Sequence, residues 1–199
     1  MRIIGAATED EMIAAFLRAE VDSERYGEKL LAILARDGRG VEVLRAPDPA
    51  VAADNRYRRR VLDEHRAYER REGLFNGLPS RVDWARAALT AREVLEIRYI
   101  DWDWWLTLSG GSRSPLDAAR RIRAGEIAGI TADAGDEAIA AAAATSPELI
   151  AVTTPSHAPL VLVEGHARLT AYALFPASLP EELEILLGVS DEIAEWVQF

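Results

Sequence analysis

Residues 160–174 read LVLVEGHARLTAYAL, and this stretch constrains the chain more than any other. Four apolar residues, Leu160 to Val163, predict a buried strand. Gly165 predicts a tight turn, and the small-residue amphipathic segment Ala167 to Leu174 predicts the first turns of a helix. Glu164, His166 and Arg168 are concentrated at that turn. A strand running into a helix leaves free backbone N–H groups and the positive end of the helix dipole at the corner, where an anion can sit. Arg168 can grip a phosphate with a planar fork. His166 can donate to an anion or shuttle a proton near neutral pH, and Glu164 can act as a general base. An equally simple arrangement is an ion pair between Glu164 and Arg168 that ties the strand to its helix.

Charge narrows the partners. Among 199 residues, 33 acidic side chains outnumber 23 basic ones, for a formal net charge of −10. Duplex DNA gripped through its phosphates calls for a basic surface, so nucleic acid is disfavoured as a partner. The absence of cysteine removes disulfides, thiolate metal sites and cysteine nucleophiles. The segment MRIIGAATEDEM turns acidic too early for a signal peptide, and no apolar run approaches the roughly 20 residues of a membrane helix. The expectation is a cytoplasmic protein without a membrane partner.

Along the chain, Thr8 to Ala19 is predicted helical, with Thr8 and Glu11 in a capping-box arrangement. A second helix follows a cap at Asp22 or Ser23 and stops at Asp37-Gly38. Val41 to Leu44 is a predicted strand. Pro47-Asp48-Pro49 opens a charged helix to about Glu72, in which arginines and acids interleave at pairing distance on a solvated face that includes His65. A turn-rich hinge, Gly73 to Pro79, sets a soft boundary, giving a helical region 1–78 and a domain 79–199. Val82 to Leu89 and the alternating VLEIRYI, Val94 to Ile100, are predicted strands. Pro115 opens a helix to Ala124, and the alanine-rich Gly135 to Ala144 is a further helix. Leu149 to Thr153 and Leu183 to Leu187 are predicted strands, Pro155 to Pro159 is a turn, and Ser190 to Trp196 is a helical turn or two.

Three further features carry chemistry. Ser109, Gly110, Gly111, Ser112 and Arg113 form a loop with the glycines and hydroxyls that close approach to phosphate requires, although GxxxxGK[ST] is absent. Asp101 and Asp103 would share a face of a continuing strand, as a divalent-metal or general-base pair. Trp102, Trp104 and Trp105 suit either a core or a stacking wall. His157 reads as a surface loop residue.

LVLVEGHARLTAY resembles the strand–Gly-[His/Glu]-x-Arg–helix signature of the ParB/sulfiredoxin-like superfamily. The upstream order from Val94 to Leu187 is similar too: strand, arginine-ended loop, helix, two strands and then the signature. The resemblance implies an α+β fold, a small mixed sheet with flanking helices, preceded here by the helical N-terminal region. It implies a nucleotide triphosphate or diphosphate with Mg2+ over the corner. Gly165, His166 and Arg168 would contact phosphates, Arg113 would contact phosphate or substrate from the opposite loop, and Ser109 to Ser112 would help. Glu164, His166 and Asp101 would be the catalytic groups, with Asp101 and Asp103 on the metal. The sulfiredoxin cysteine is absent, so that chemistry is excluded. No helix-turn-helix module of the partition-protein kind is expected, and 126–147 reads as an insertion. The function implied is phosphoryl transfer from a nucleotide to a small hydroxyl compound or to water. The alternative is a non-catalytic nucleotide-responsive module. A homo-oligomer or a protein partner would then form through the N-terminal helices.

Overall fold

A computed structural model describes residues 1–129 and 148–199. The described chain is α+β, built on one five-stranded sheet. The strands are β1 (Arg2–Ala6), β2 (Asp83–Thr90), β3 (Leu149–Thr153), β4 (Val161–Glu164) and β5 (Glu182–Val189). Their order across the sheet is β1-β2-β5-β3-β4. Only β3 and β5 run parallel; the other three pairings are antiparallel.

Alternation along the strands sends side chains to opposite faces, and each face meets its own helices. Ile150, Val152, Val161, Val163 and Leu186 face the N-terminal helices α1 (Glu9–Val21), α2 (Gly27–Arg36), α3 (Glu42–Arg45) and α4 (Ala52–Arg66). Leu149, Ala151, Leu162, Ile185 and Leu187 face a second group. That group comprises α5 (Ala91–Leu95), α6 (Asp103–Ser109), α7 (Pro115–Arg123) and α8 (His166–Leu174). The sheet is therefore a shared middle layer. β1 carries the N-terminal segment into this sheet, and the helices up to residue 66 pack on the same strands as the later ones line from behind. Among the described residues no helix is long and apolar enough to cross a membrane.

Local signals held where capping chemistry was complete. Thr8 accepts from the Glu11 amide while the Glu11 side chain takes the Thr8 amide. Ser114 caps α7, with Pro115 in its first turn. Elsewhere the structure corrects the reading. VLEIRYI is not a strand: Thr90 and Glu93 form a second capping box that starts α5, and only Arg98 bridges to β4, at Val161. The β-branched residues favour a strand, and the cap in front of them overrides that preference. Val41 to Leu44 is not a strand: Val41 is the N-cap of α3, and buried Leu44 anchors that helix. α4 ends at Arg66 rather than near Glu72, because Ala67 turns left-handed (φ 57°) and the Asp63 carboxylate accepts the Glu69 and Arg70 amides. The predicted helix Gly135 to Ala144 lies outside the described residues.

Candidate functional site

Glu164 is the last residue of β4, and His166 is the first of α8. Gly165 between them has φ +103°, in the left-handed region, and an added Cβ would come within 2.4 Å of a Leu149 methyl. The turn therefore needs glycine sterically as well as conformationally. His166 is buried and stacks on Trp105 with ring centres 4.7 Å apart; Tyr99 lies beyond, 6.0 Å from the histidine. Burial lowers the His166 pKa to about 3, so the ring is neutral, and its buried Nε2 has no hydrogen-bond partner among the described residues.

Glu164 opens into a pocket of about 280 Å3. The corner residues Val163 to Ala167 form one wall, and Trp102, Trp104 and Trp105 a second. The third wall comes from the N-terminal helices: Glu20 at the end of α1, the following loop through Tyr26, and Arg66 of α4. Trp102 and Trp104 remain 43% and 46% exposed, a degree of exposure that leaves ring faces open to a ligand.

Glu20 is buried, and both of its oxygens are engaged. Oε2 lies 2.6 Å from His65 Nε2 and accepts from Arg66 Nε at 3.1 Å, while Oε1 accepts from Arg66 Nη2. The Arg66 guanidinium also covers the Tyr26 ring at 3.6 Å. Glu20 is thereby held in place by both partners. Burial raises the Glu164 pKa to about 7, and the Glu20 charge adds to the rise against smaller opposing effects of the Gly165 backbone, Arg168 and Arg66. Glu164 is half-buried where it lines the pocket. Glu164 thus titrates near neutral pH inside the pocket.

The structure unites Glu164, Gly165 and His166 at this pocket and disperses the other expected site residues. Arg168 is buried beside the corner and donates to the Glu148 carbonyl at 2.9 Å. Arg113 donates from all three guanidinium nitrogens to backbone oxygens of Tyr99, Gln198 and Phe199, at 2.7, 2.9 and 2.5 Å. It ties residues 198 and 199 to the segment before α6 and leaves no phosphate fork. The Ser109–Ser112 loop is a helix stop. Gly110 is left-handed, the Gly110 and Gly111 amides return to Thr107 and Leu106 carbonyls, and the Arg113 and Ser114 amides go to the Ser109 and Ser112 hydroxyls. These four amides are thus taken up by the protein's own oxygens, while Gly110, Gly111 and Ser112 stay exposed.

Asp101 and Asp103 are both exposed and do not continue a strand; Asp103 sits in the first turn of α6, where the helix dipole favours it. Among the described residues no group of three His, Asp or Glu gathers as a metal site. His65, read as solvated, is buried against Glu20. His157 is exposed in its loop, as expected. Glu20, Tyr26 and Arg66 went unforeseen. The only trace of Glu20 in sequence is an acid on the otherwise apolar face of a helix, which does not say what it meets. No protein-family model matches this chain, and neither does any curated protein or solved structure compared with it.

Proposed function

We propose that the pocket at the β4–α8 corner binds a nucleoside or nucleotide, and that Glu164 carries a proton to or from it. The observation behind this reading is the meeting of a carboxyl group protonated up to neutral pH with open tryptophan faces in one pocket. A nucleobase is flat and stacks on indole. Its edge presents donors and acceptors that a carboxylic acid can pair. The His166 ring lies at the same wall. Residues 164–168, EGHAR, are those that resemble the ParB/sulfiredoxin-like signature, and on this proposal Val94 to Leu187 form such a unit. The phosphotransferase version of that resemblance draws less support, because Arg113 and the Ser109–Ser112 loop spend their donors on the protein itself.

A non-catalytic, nucleotide-responsive module is the second reading. It is favoured by one feature: the N-terminal helices supply Glu20, Tyr26 and Arg66 to the pocket, so occupancy would be transmitted to them. Titration with adenosine, cytidine and their monophosphates, followed by tryptophan emission, tests both. The expected result is saturable quenching that weakens in Trp104→Ala. No change at millimolar ligand would remove the nucleotide reading altogether.

A further inference from the structure

The phosphate of a nucleotide calls for a cation that the protein has not already engaged. Arg113 spends its donors on backbone oxygens, and Arg168 is buried and donates to the Glu148 carbonyl. The acidic and basic side chains that line the pocket are Glu20, Glu164, Arg25 and Arg66. Arg66 is committed: its Nε and Nη2 go to Glu20, and its guanidinium lies over the Tyr26 ring. Arg25 stands in the loop between α1 and α2 and is exposed. No oxygen among the described residues accepts a hydrogen bond from it; its contact is with the Tyr26 ring, 4.8 Å from the guanidinium carbon. A cation–π contact of this kind restrains the side chain and engages no acceptor, so the planar fork keeps its five donors.

We propose that Arg25 takes the phosphate of a nucleoside 5′-monophosphate whose base stacks on Trp102 and Trp104, so that the ligand of this pocket is a mononucleotide. The proposal rests on the nucleotide reading above and names the class of ligand. A base and its 5′-phosphate sit at opposite ends of a ribose, and the pocket separates its chemistry in the same way. The tryptophans form one wall, and Arg25 with Tyr26 belongs to another. Trp102 and Trp104, 43% and 46% exposed, and the exposed Arg25 all lie on the open side of the pocket, where an anionic ligand keeps part of its hydration. One uncommitted fork matches one phosphate. A second or third phosphate would add negative charge to a space that already holds the carboxyl groups of Glu20 and Glu164. The volume of about 280 Å3 is small for a ligand site, which also suits a mononucleotide. Arg25 lies outside Val94 to Leu187, so this phosphate contact is not one that the EGHAR resemblance contains.

Tryptophan quenching of the full chain is titrated with adenosine, adenosine 5′-monophosphate and adenosine 5′-diphosphate, and repeated with Arg25→Ala and Arg25→Lys. The monophosphate is expected to bind about tenfold more tightly than adenosine, and the diphosphate no more tightly than the monophosphate. Arg25→Ala is expected to remove that advantage and leave adenosine binding as it was. Arg25→Lys is expected to restore part of it, since a point charge replaces the fork. On the unmodified chain, added salt is expected to erode the advantage of the monophosphate and spare adenosine; this arm carries the test if the variants fail to fold. Equal affinity for adenosine and its monophosphate overturns the mononucleotide assignment and leaves nucleoside binding standing, whereas absence of quenching by all three ligands overturns both. Equal losses of adenosine and monophosphate in Arg25→Ala would show that Arg25 only supports Tyr26, and tighter binding of the diphosphate would overturn the match to a single phosphate.

Discussion

Burial favours the neutral form of both Glu164 and His166, and neutrality means protonated for one and deprotonated for the other. Glu164 titrates near 4.5 when unperturbed and at about 7 in the fold. Between those values the folded state holds the extra proton, so stability falls as pH rises, and the loss is complete above about 7. Glu164→Gln is expected to exceed the parent in stability at pH 8 by on the order of 2 kcal/mol relative to the difference at pH 4. Urea unfolding at the two pH values checks this; a difference independent of pH would sink it. His166 shifts from 6.5 to about 3. Between those values the unfolded chain takes the proton and the fold does not, so its contribution is lost as pH falls. His166→Phe keeps an aromatic ring against Trp105 and is expected to flatten the acid side of the stability profile in thermal melts. Neither shift was legible in the sequence, since each comes from what surrounds the group and not from its neighbours along the chain.

Elements whose ends carry their own chemistry were legible. Thr8 and Glu11 announce α1, and Ser114 with Pro115 announces α7, because a cap satisfies amides within three residues. Thr8→Ala is expected to cost about 1 kcal/mol, measured as a lower midpoint with an unchanged denaturant slope; no change would mean the cap is solvent-replaceable. VLEIRYI shows the limit. Its alternation favours a strand, but the Thr90–Glu93 box directly ahead nucleates a helix, and the residues beyond it make one bridge only. The β4–α8 corner was read correctly as strand, glycine and helix. What fixes the glycine is Leu149 on the neighbouring strand, a contact that the local sequence does not contain. Gly165→Ala is expected to destabilise by about 1–3 kcal/mol from backbone strain, with the buried Leu149 forced to shift. Full retention of stability would show that the turn can change its φ.

At the scale of the molecule, one sheet serves both helical groups, and charged side chains cross between parts. Arg86 of β2 pairs with Glu11 of α1, with Glu148 beside β3 and with Glu184 of β5. Trp196 is buried in the core shared with the N-terminal helices and donates to the Leu74 carbonyl at 2.7 Å. Trp196→Ala is expected to cost about 3–5 kcal/mol, and to lower the melting of helices and sheet together in one transition. Two separated transitions would show that residues before the hinge fold apart from the rest. The sequence by itself determined the strand–glycine–helix corner and the capped helices α1 and α7, because each depends on spacing within a few residues, whereas the arginines of α4 found acids on other elements, Glu9, Asp10, Glu20 and Asp37. Only the tertiary structure decided that Arg113 binds backbone oxygens, that Asp101 and Asp103 lie exposed at the start of α6, and that Glu20 of α1 shares a pocket with Glu164 of β4. Those outcomes depend on which distant segments share a space. Burial and a neighbour's charge act through that space, and so the proton on Glu164, the feature on which the proposed chemistry turns, is set by the fold.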